Sequence, residues 1–176
     1  MEKFKKIYGI IISIFLAVAV LLAILLVGVR AVGVTPYTVL SGSMSPTYPA
    51  GAIVYVRKVE PLDLKVRDVI TYKKEDGTVV THRIIEILED ENNPSAVRFR
   101  VQGDANNTPD GDPVDGSDIL GKVSFGIPLL GYVANFIQSP YGSVYTIAIG
   151  LGLVGLSCLP NIVEKFAQED EEDSNA

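Results

Sequence analysis

The chain has one cysteine and one histidine among its 176 residues, and each scarcity removes a class of chemistry. Cys158 lies inside an apolar run. A lone cysteine excludes an intramolecular disulfide and any cysteine-built metal cluster, and in such a setting it reads as a small hydrophobe. His82 has no second histidine beside which to hold zinc, so any metal would have to rest on carboxylates alone. Basic residues are also few, 15 against 21 acidic ones for a net charge of −6, and they are scattered. That excludes the clustered basic face of a nucleic-acid binder. No internal repeat or low-complexity tract is present. No metal and no cofactor are expected.

Apolar residues are plentiful: they make up 48% of the chain, with a mean hydropathy of +0.30 despite 20% charged residues. That combination suggests membrane spans joined to a polar domain. Residues 7–29, "IYGIIISIFLAVAVLLAILLVGV", carry no charge, and at about 1.5 Å per residue they cross a hydrocarbon core of roughly 30 Å. Lys3, Lys5 and Lys6 precede this run and Arg30 follows it. The lysine excess keeps residues 1–6 cytoplasmic and sends the following domain across the membrane. A cleavable signal peptide ending at Ala31-Val32-Gly33 is the rival reading, but the apolar run is longer than such peptides use.

Residues 141–163, "YGSVYTIAIGLGLVGLSCLPNIV", form a second, glycine-rich candidate span, with a buried core helix as its alternative. If it spans, the acidic tail at 164–176, which contains "QEDEED", is cytoplasmic, because acidic residues do little to set orientation. Gly150, Gly152 and Gly155 match the spacing of a dinucleotide fingerprint. No strand precedes them and no acidic residue follows in a second strand, so a nucleotide site is rejected. Ala148 and Gly152 read instead as helix-packing positions in lipid.

Function must then sit in residues 30–140. Four runs there are rich in β-branched and aromatic residues: 52–59, 68–74, 78–88 and 96–102. Turn signals separate them at 49–51, 75–77 and 92–94, and Asp76-Gly77 is a good hairpin signal. The expected domain is mainly β.

Three sites in it carry candidate chemistry. "VLSGSMSPTYPAG", residues 39–51, concentrates serine, glycine and proline about ten residues beyond the first span. Glycine and serine allow a tight turn exposing Ser43, while Pro46 and Pro49 stiffen the chain after it. Met44 is expected to form a flexible apolar wall at the bilayer surface. In "VVTHRII", alternation puts His82 on the face of Val80 and Ile84, opposite Thr81 and Arg83. The third site, residues 101–118, holds Asp104, Asp110, Asp112, Asp115 and Asp118.

This last segment also admits blander readings. Its Asn, Asp, Gly and Pro favour turns. A calcium loop would use Asp104, Asn106, Thr108 and Asp115, but Pro109 stands where the loop needs glycine. Asn106-Asn107-Thr108 is a glycosylation triplet, expected to be unoccupied if Asp104 is catalytic. Taken together, a serine, a histidine and an aspartate are the inventory for acyl transfer. Histidine, with an ordinary pKa near 6.5, takes the serine proton and returns it to the leaving amine. A carboxylate fixes the imidazole tautomer, and N–H groups of the Ser43 turn can bind the developing oxyanion.

"SGSMSP" after an anchor, "THR" on a strand and then "GDANNTPD" together resemble type I signal peptidase, peptidase family S26. Histidine where the common bacterial branch has lysine points to the branch found in the endoplasmic reticulum, archaea and some Gram-positive bacteria. The resemblance implies a coiled antiparallel β-sheet domain between two transmembrane helices, cleaving exported preproteins after small residues. It makes Ser43 the nucleophile, His82 the general base and Ser41 an oxyanion-hole contributor, with Asp104 or Asp110 orienting His82. Signal peptides, the bilayer and the translocation machinery are the implied partners. The cell membrane, or the reticulum membrane in a eukaryote, is the implied location. Two family glycine-aspartate positions read Gly51-Ala52 and Arg67-Asp68 here, which leaves those strand-end turns open. An inactive scaffold of an export complex and a surface calcium-binding β-domain are the competing readings.

Overall fold

The computed structural model describes residues 2–90 and 93–174, with side chains for residues 6–88 and 97–159. Lys3, Lys5, the expected turn at 92–94 and the acidic side chains at 168–173 fall wholly or partly outside that range. The chain divides into two units, Leu26–Asn135 and the remainder.

The second unit is built on two long helices, α1 (Glu2–Leu26) and α3 (Pro140–Ser174). The stretches Lys6–Leu26 and Pro140–Leu159 are long and apolar enough to cross a membrane. Val144, Ile147 and Leu151 of α3 are more than 60% exposed, so the alternative of a buried core helix does not describe this segment. The two helices touch where the Tyr8 hydroxyl donates to the Leu156 carbonyl at 2.7 Å.

The other unit is a seven-stranded, coiled antiparallel sheet with the order β1-β2-β7-β3-β4-β5-β6. Its strands are β1 (Val34–Thr38), β2 (Ile53–Arg57), β3 (Val69–Lys73), β4 (Val79–Asp90), β5 (Asn93–Gln102), β6 (Val114–Asp115) and β7 (Ile119–Ile127). The four strands expected from β-branched runs are β2 to β5. The sequence reading missed the other three, for physical reasons. β1 holds Pro36, which an edge strand tolerates because it need not donate there. β6 has only two residues. β7 is diluted by Gly121 and Gly126, yet it is the strand that joins β2 to β3. A short helix, α2 (Leu130–Gln138), follows it inside the segment expected to be β, burying Leu130, Gly131 and Ala134.

Two apolar clusters flank the central strands. One gathers Leu64, Ile70, Tyr72, Ile84, Val97, Phe99, Val101 and Val114. The other holds Val39, Met44, Ala52, Val54, Val56, Val69 and Val123. Met44 is only 1% exposed, which corrects the expectation of a wall at the bilayer surface. A thioether in the core anchors the turn from beneath, and fully burying such a side chain contributes about 1.5–3 kcal/mol.

Both departures from the family's glycine-aspartate pattern lie at left-handed backbone, with Gly51 at φ +82° and Arg67 at φ +80°. Gly51 suits that conformation. Arg67 is held in it from both sides: its N–H donates to the Ile84 carbonyl, and its own carbonyl accepts from Arg83.

Gly121 permits the close approach at the sheet's centre. A Cβ there would lie 2.3 Å from the Arg57 carbonyl oxygen, and the β7 pairings with β2 and with β3 both shift register nearby. Backbone cannot swing aside as a side-chain tip can. Gly121→Ala is therefore expected to destabilise the folded chain by about 2 kcal/mol or more. Chemical denaturation of the detergent-solubilised protein measures this, and an unchanged midpoint would contradict the packing described.

Candidate active site

Residues 39–52 form a loop closed at its base by paired backbone bonds, Val39 N–H to Ala52 C=O and Gly51 N–H to Val39 C=O, both 2.8 Å. Within it, Ser45 N–H donates to Gly42 C=O and Tyr48 N–H to Met44 C=O, which winds the chain tightly around Ser43. Met44 points into the core and leaves Ser43 half-buried at the surface. The Ser43 carbonyl accepts from Ala105 N–H at 2.8 Å, tying the turn to the loop that follows β5.

His82 is 6% exposed on the inner strand β4, directly opposite Ile70 of β3. Its Nε2 is 3.2 Å from Ser43 Oγ, and its Nδ1 is 2.7 Å from Asp110 Oδ2. An ionised carboxylate only accepts hydrogen bonds, so Nδ1 carries the proton and Nε2 is free to accept from the serine. Ser41 Oγ lies 3.1 Å from Ser43 Oγ. Asp110 is itself set by its backbone N–H, which donates to Val101 C=O at 2.9 Å.

Asp104 takes a different place. Arg83 grips both of its oxygens, Nε to Oδ1 at 2.8 Å and Nη2 to Oδ2 at 2.7 Å, and the Thr47 hydroxyl donates to Oδ2 as well. The Arg83 hydrogen bonds hold the Asp104 carboxyl below the usual carboxylate range against a smaller opposing effect of burial. The same bonds push the Arg83 guanidinium further up. So the structure brings Ser43, His82 and Asp110 into line, with Ser41 beside the serine. Asp104 instead braces the Ser43 turn, through Thr47, against β4.

A calcium loop would need Asp104 as its first ligand, and both its oxygens are already taken by a cation. Asn106 is exposed in the loop after Gly103, its N–H donating to the Gly103 carbonyl.

Three contributors escaped the sequence reading. Tyr72, 2% exposed on β3, donates its hydroxyl to Asp110 Oδ2 at 2.7 Å. Strand alternation in "DVITYKK" puts Ile70 and Tyr72 on one inward face, so a signal was present. Arg83 was visible only as the neighbour of His82. Gly103 sits beneath the pair: a Cβ there would lie 2.6 Å from the Ser43 carbonyl and 3.0 Å from His82 Nε2. A cavity of about 460 Å³ lies between residues 72–76 and 110–118, and its lining includes Tyr72 and Asp110 but neither Ser43 nor His82.

A hydroxyl, an imidazole and a carboxylate in sequence on a coiled β-sheet define a layout suited to serine-dependent acyl transfer. The family model described as signal peptidase, peptidase S26, matches residues 11–103, and the chain belongs to that family. Signal peptidase I W of Bacillus subtilis is 31% identical over 123 residues, covering 65% of this chain and 63% of that protein. The signal peptidase complex catalytic subunit SEC11 of Zygosaccharomyces rouxii is 30% identical over 131 residues, covering 69% of this chain and 74% of the relative. That of Candida dubliniensis is 30% identical over 130 residues. The chain thus spans somewhat less than two thirds of the Bacillus protein's length.

The Arg83–Asp104 pair has a pH signature. The depressed folded pKa of Asp104 means that its contribution to stability is complete above the unfolded value, about 3.9. It disappears as pH falls through the folded value. Asp104→Asn is expected to melt below the parent at pH 7, with the gap closing progressively below about pH 4. Thermal melts across that range check this, and a gap that stays constant would contradict the ion pair's role.

Proposed function

We propose that this protein is a membrane-bound serine endopeptidase that removes N-terminal signal peptides from exported preproteins after small residues. The observation that carries the reading is the unbroken chain of contacts from Ser43 Oγ through His82 to Asp110, in a chain of the signal peptidase family. Ser43 attacks the scissile carbonyl while His82 Nε2 takes the hydroxyl proton. Asp110 holds the imidazole and stabilises the imidazolium. The tetrahedral oxyanion is received by the Ser41 hydroxyl and the Ser43 backbone N–H, preorganised donors of a kind worth about 3 kcal/mol each. Collapse expels the amine of the mature protein, which leaves with the proton from His82. Water, activated by the same histidine, then hydrolyses the ester that holds the signal peptide.

The anchoring arrangement supports the substrate class. Arg30 and Ser43 are thirteen residues apart, a reach of at most about 45 Å when fully extended. A signal peptide is cut just beyond its own membrane-buried core. A nucleophile tethered near that plane meets the cleavage site there, and the shared bilayer raises their effective concentration. With α1 and α3 both spanning, the termini are cytoplasmic and the β-domain extracytoplasmic. The translocation machinery is the natural source of substrate.

The test is cleavage of a preprotein by the purified chain and its variants. Ser43→Ala should abolish cleavage, and added chelator should change nothing. Asp110→Asn should lower kcat by about three to four orders of magnitude, because the imidazole loses its tautomer. Asp104→Asn, measured where its fold is intact, should lose far less. Comparable losses at the two aspartates, or cleavage that survives Ser43→Ala, would refute the assignment.

A further inference from the structure

Asp110 Oδ2 receives two hydrogen bonds, one from His82 Nδ1 and one from the Tyr72 hydroxyl, both 2.7 Å. An oriented carboxylate serves a catalytic histidine with one oxygen. Here that oxygen is shared with a second donor from another strand, buried in the larger apolar cluster. The Tyr72 and His82 rings stand 6.5 Å apart at 60°, so the phenol reaches the carboxylate without stacking on the imidazole.

We propose that Tyr72 is a positioning residue that sets how much of the Asp110 charge reaches His82. A hydrogen bond donated to a carboxylate oxygen draws charge from it and stabilises its ionised form. The imidazolium of His82 is stabilised by charge on that same oxygen. Sharing Oδ2 with Tyr72 weakens this stabilisation, so His82 remains a neutral proton acceptor to lower pH than it would beside an unshared carboxylate. Burial, then the hydrogen bond to Asp110, push the Tyr72 hydroxyl far above its ordinary range, so it is a donor at neutral pH. The inference rests on the reading of His82 as general base.

Among the described residues, other groups also lie near His82. Ser43 lies at Nε2 on the 39–52 turn. On β4 the neighbouring Arg83 is paired with Asp104 of the loop after β5. Tyr48 of the turn lies within electrostatic reach of that pair. None of these touches Asp110 Oδ2, so a change at Tyr72 acts on His82 through the shared oxygen.

The experiment uses the fact that the chain has a single histidine. With 13C-labelled histidine in the full chain in detergent micelles, one imidazole resonance reports its titration. Tyr72→Phe removes the donor, and the His82 midpoint should rise by about half a pH unit or more. Site-specific 3-fluorotyrosine at position 72, a stronger donor of nearly the same shape, should lower the midpoint. This second variant keeps the test valid if Tyr72→Phe fails to fold. An unmoved midpoint in both, or shifts in the same direction, would overturn the proposal and leave Tyr72 as packing. The acid limb of kcat/KM should follow the resonance. A shifted midpoint with an unmoved limb would uphold the shared oxygen and remove His82 from its role as base.

Discussion

A nearly buried imidazole needs a partner at each ring nitrogen, because an unsatisfied polar group away from water costs about 1–3 kcal/mol. His82 meets that demand from two separate parts of the chain, Ser43 on one side and Asp110 on the other. Neither partner is near it in sequence. The β-domain serves to bring the three together and to keep them there. The two apolar clusters divide the task. Met44 belongs to one cluster and carries Ser43 on its neighbouring residue, while Tyr72 belongs to the other and reaches Asp110. The imidazole thus has one partner fixed by each core.

Around the imidazole, further polar contacts act as braces. The Ser43 carbonyl is bound by Ala105, Thr47 and Arg83 converge on Asp104, and Gly103 leaves the space through which the turn approaches β4. A loop rich in small residues would otherwise be mobile. Here the Ser43 carbonyl and the Thr47 hydroxyl tie it to the loop after β5.

How much of this was legible beforehand depended on what each residue needed from its neighbours. The apolar runs, the four β-branched strands and the motifs around Ser43 and His82 carry local signals, and the structure has helices, strands and, at Ser43, a tight turn there. β7 did not announce itself, because its glycines serve a strand crossing and not a strand propensity. Met44 was misplaced because one residue's burial depends on which way a turn faces. The two aspartates could not be separated in sequence. Six positions apart in a loop, they differ only in what reaches them: Arg83 at Asp104, His82 and Tyr72 at Asp110. That is tertiary information, carried by side chains from two other strands.

The central proposal is that Ser43 forms a covalent ester with the signal-peptide portion of its substrate. Acid quenching of the wild-type chain during turnover, followed by mass spectrometry of its peptides, tests this most directly. The account predicts a hydroxylamine-labile adduct on the peptide containing Ser43, with the mass of the signal peptide. Active turnover with the adduct on another residue, or with none trapped even when deacylation is slowed, would contradict it.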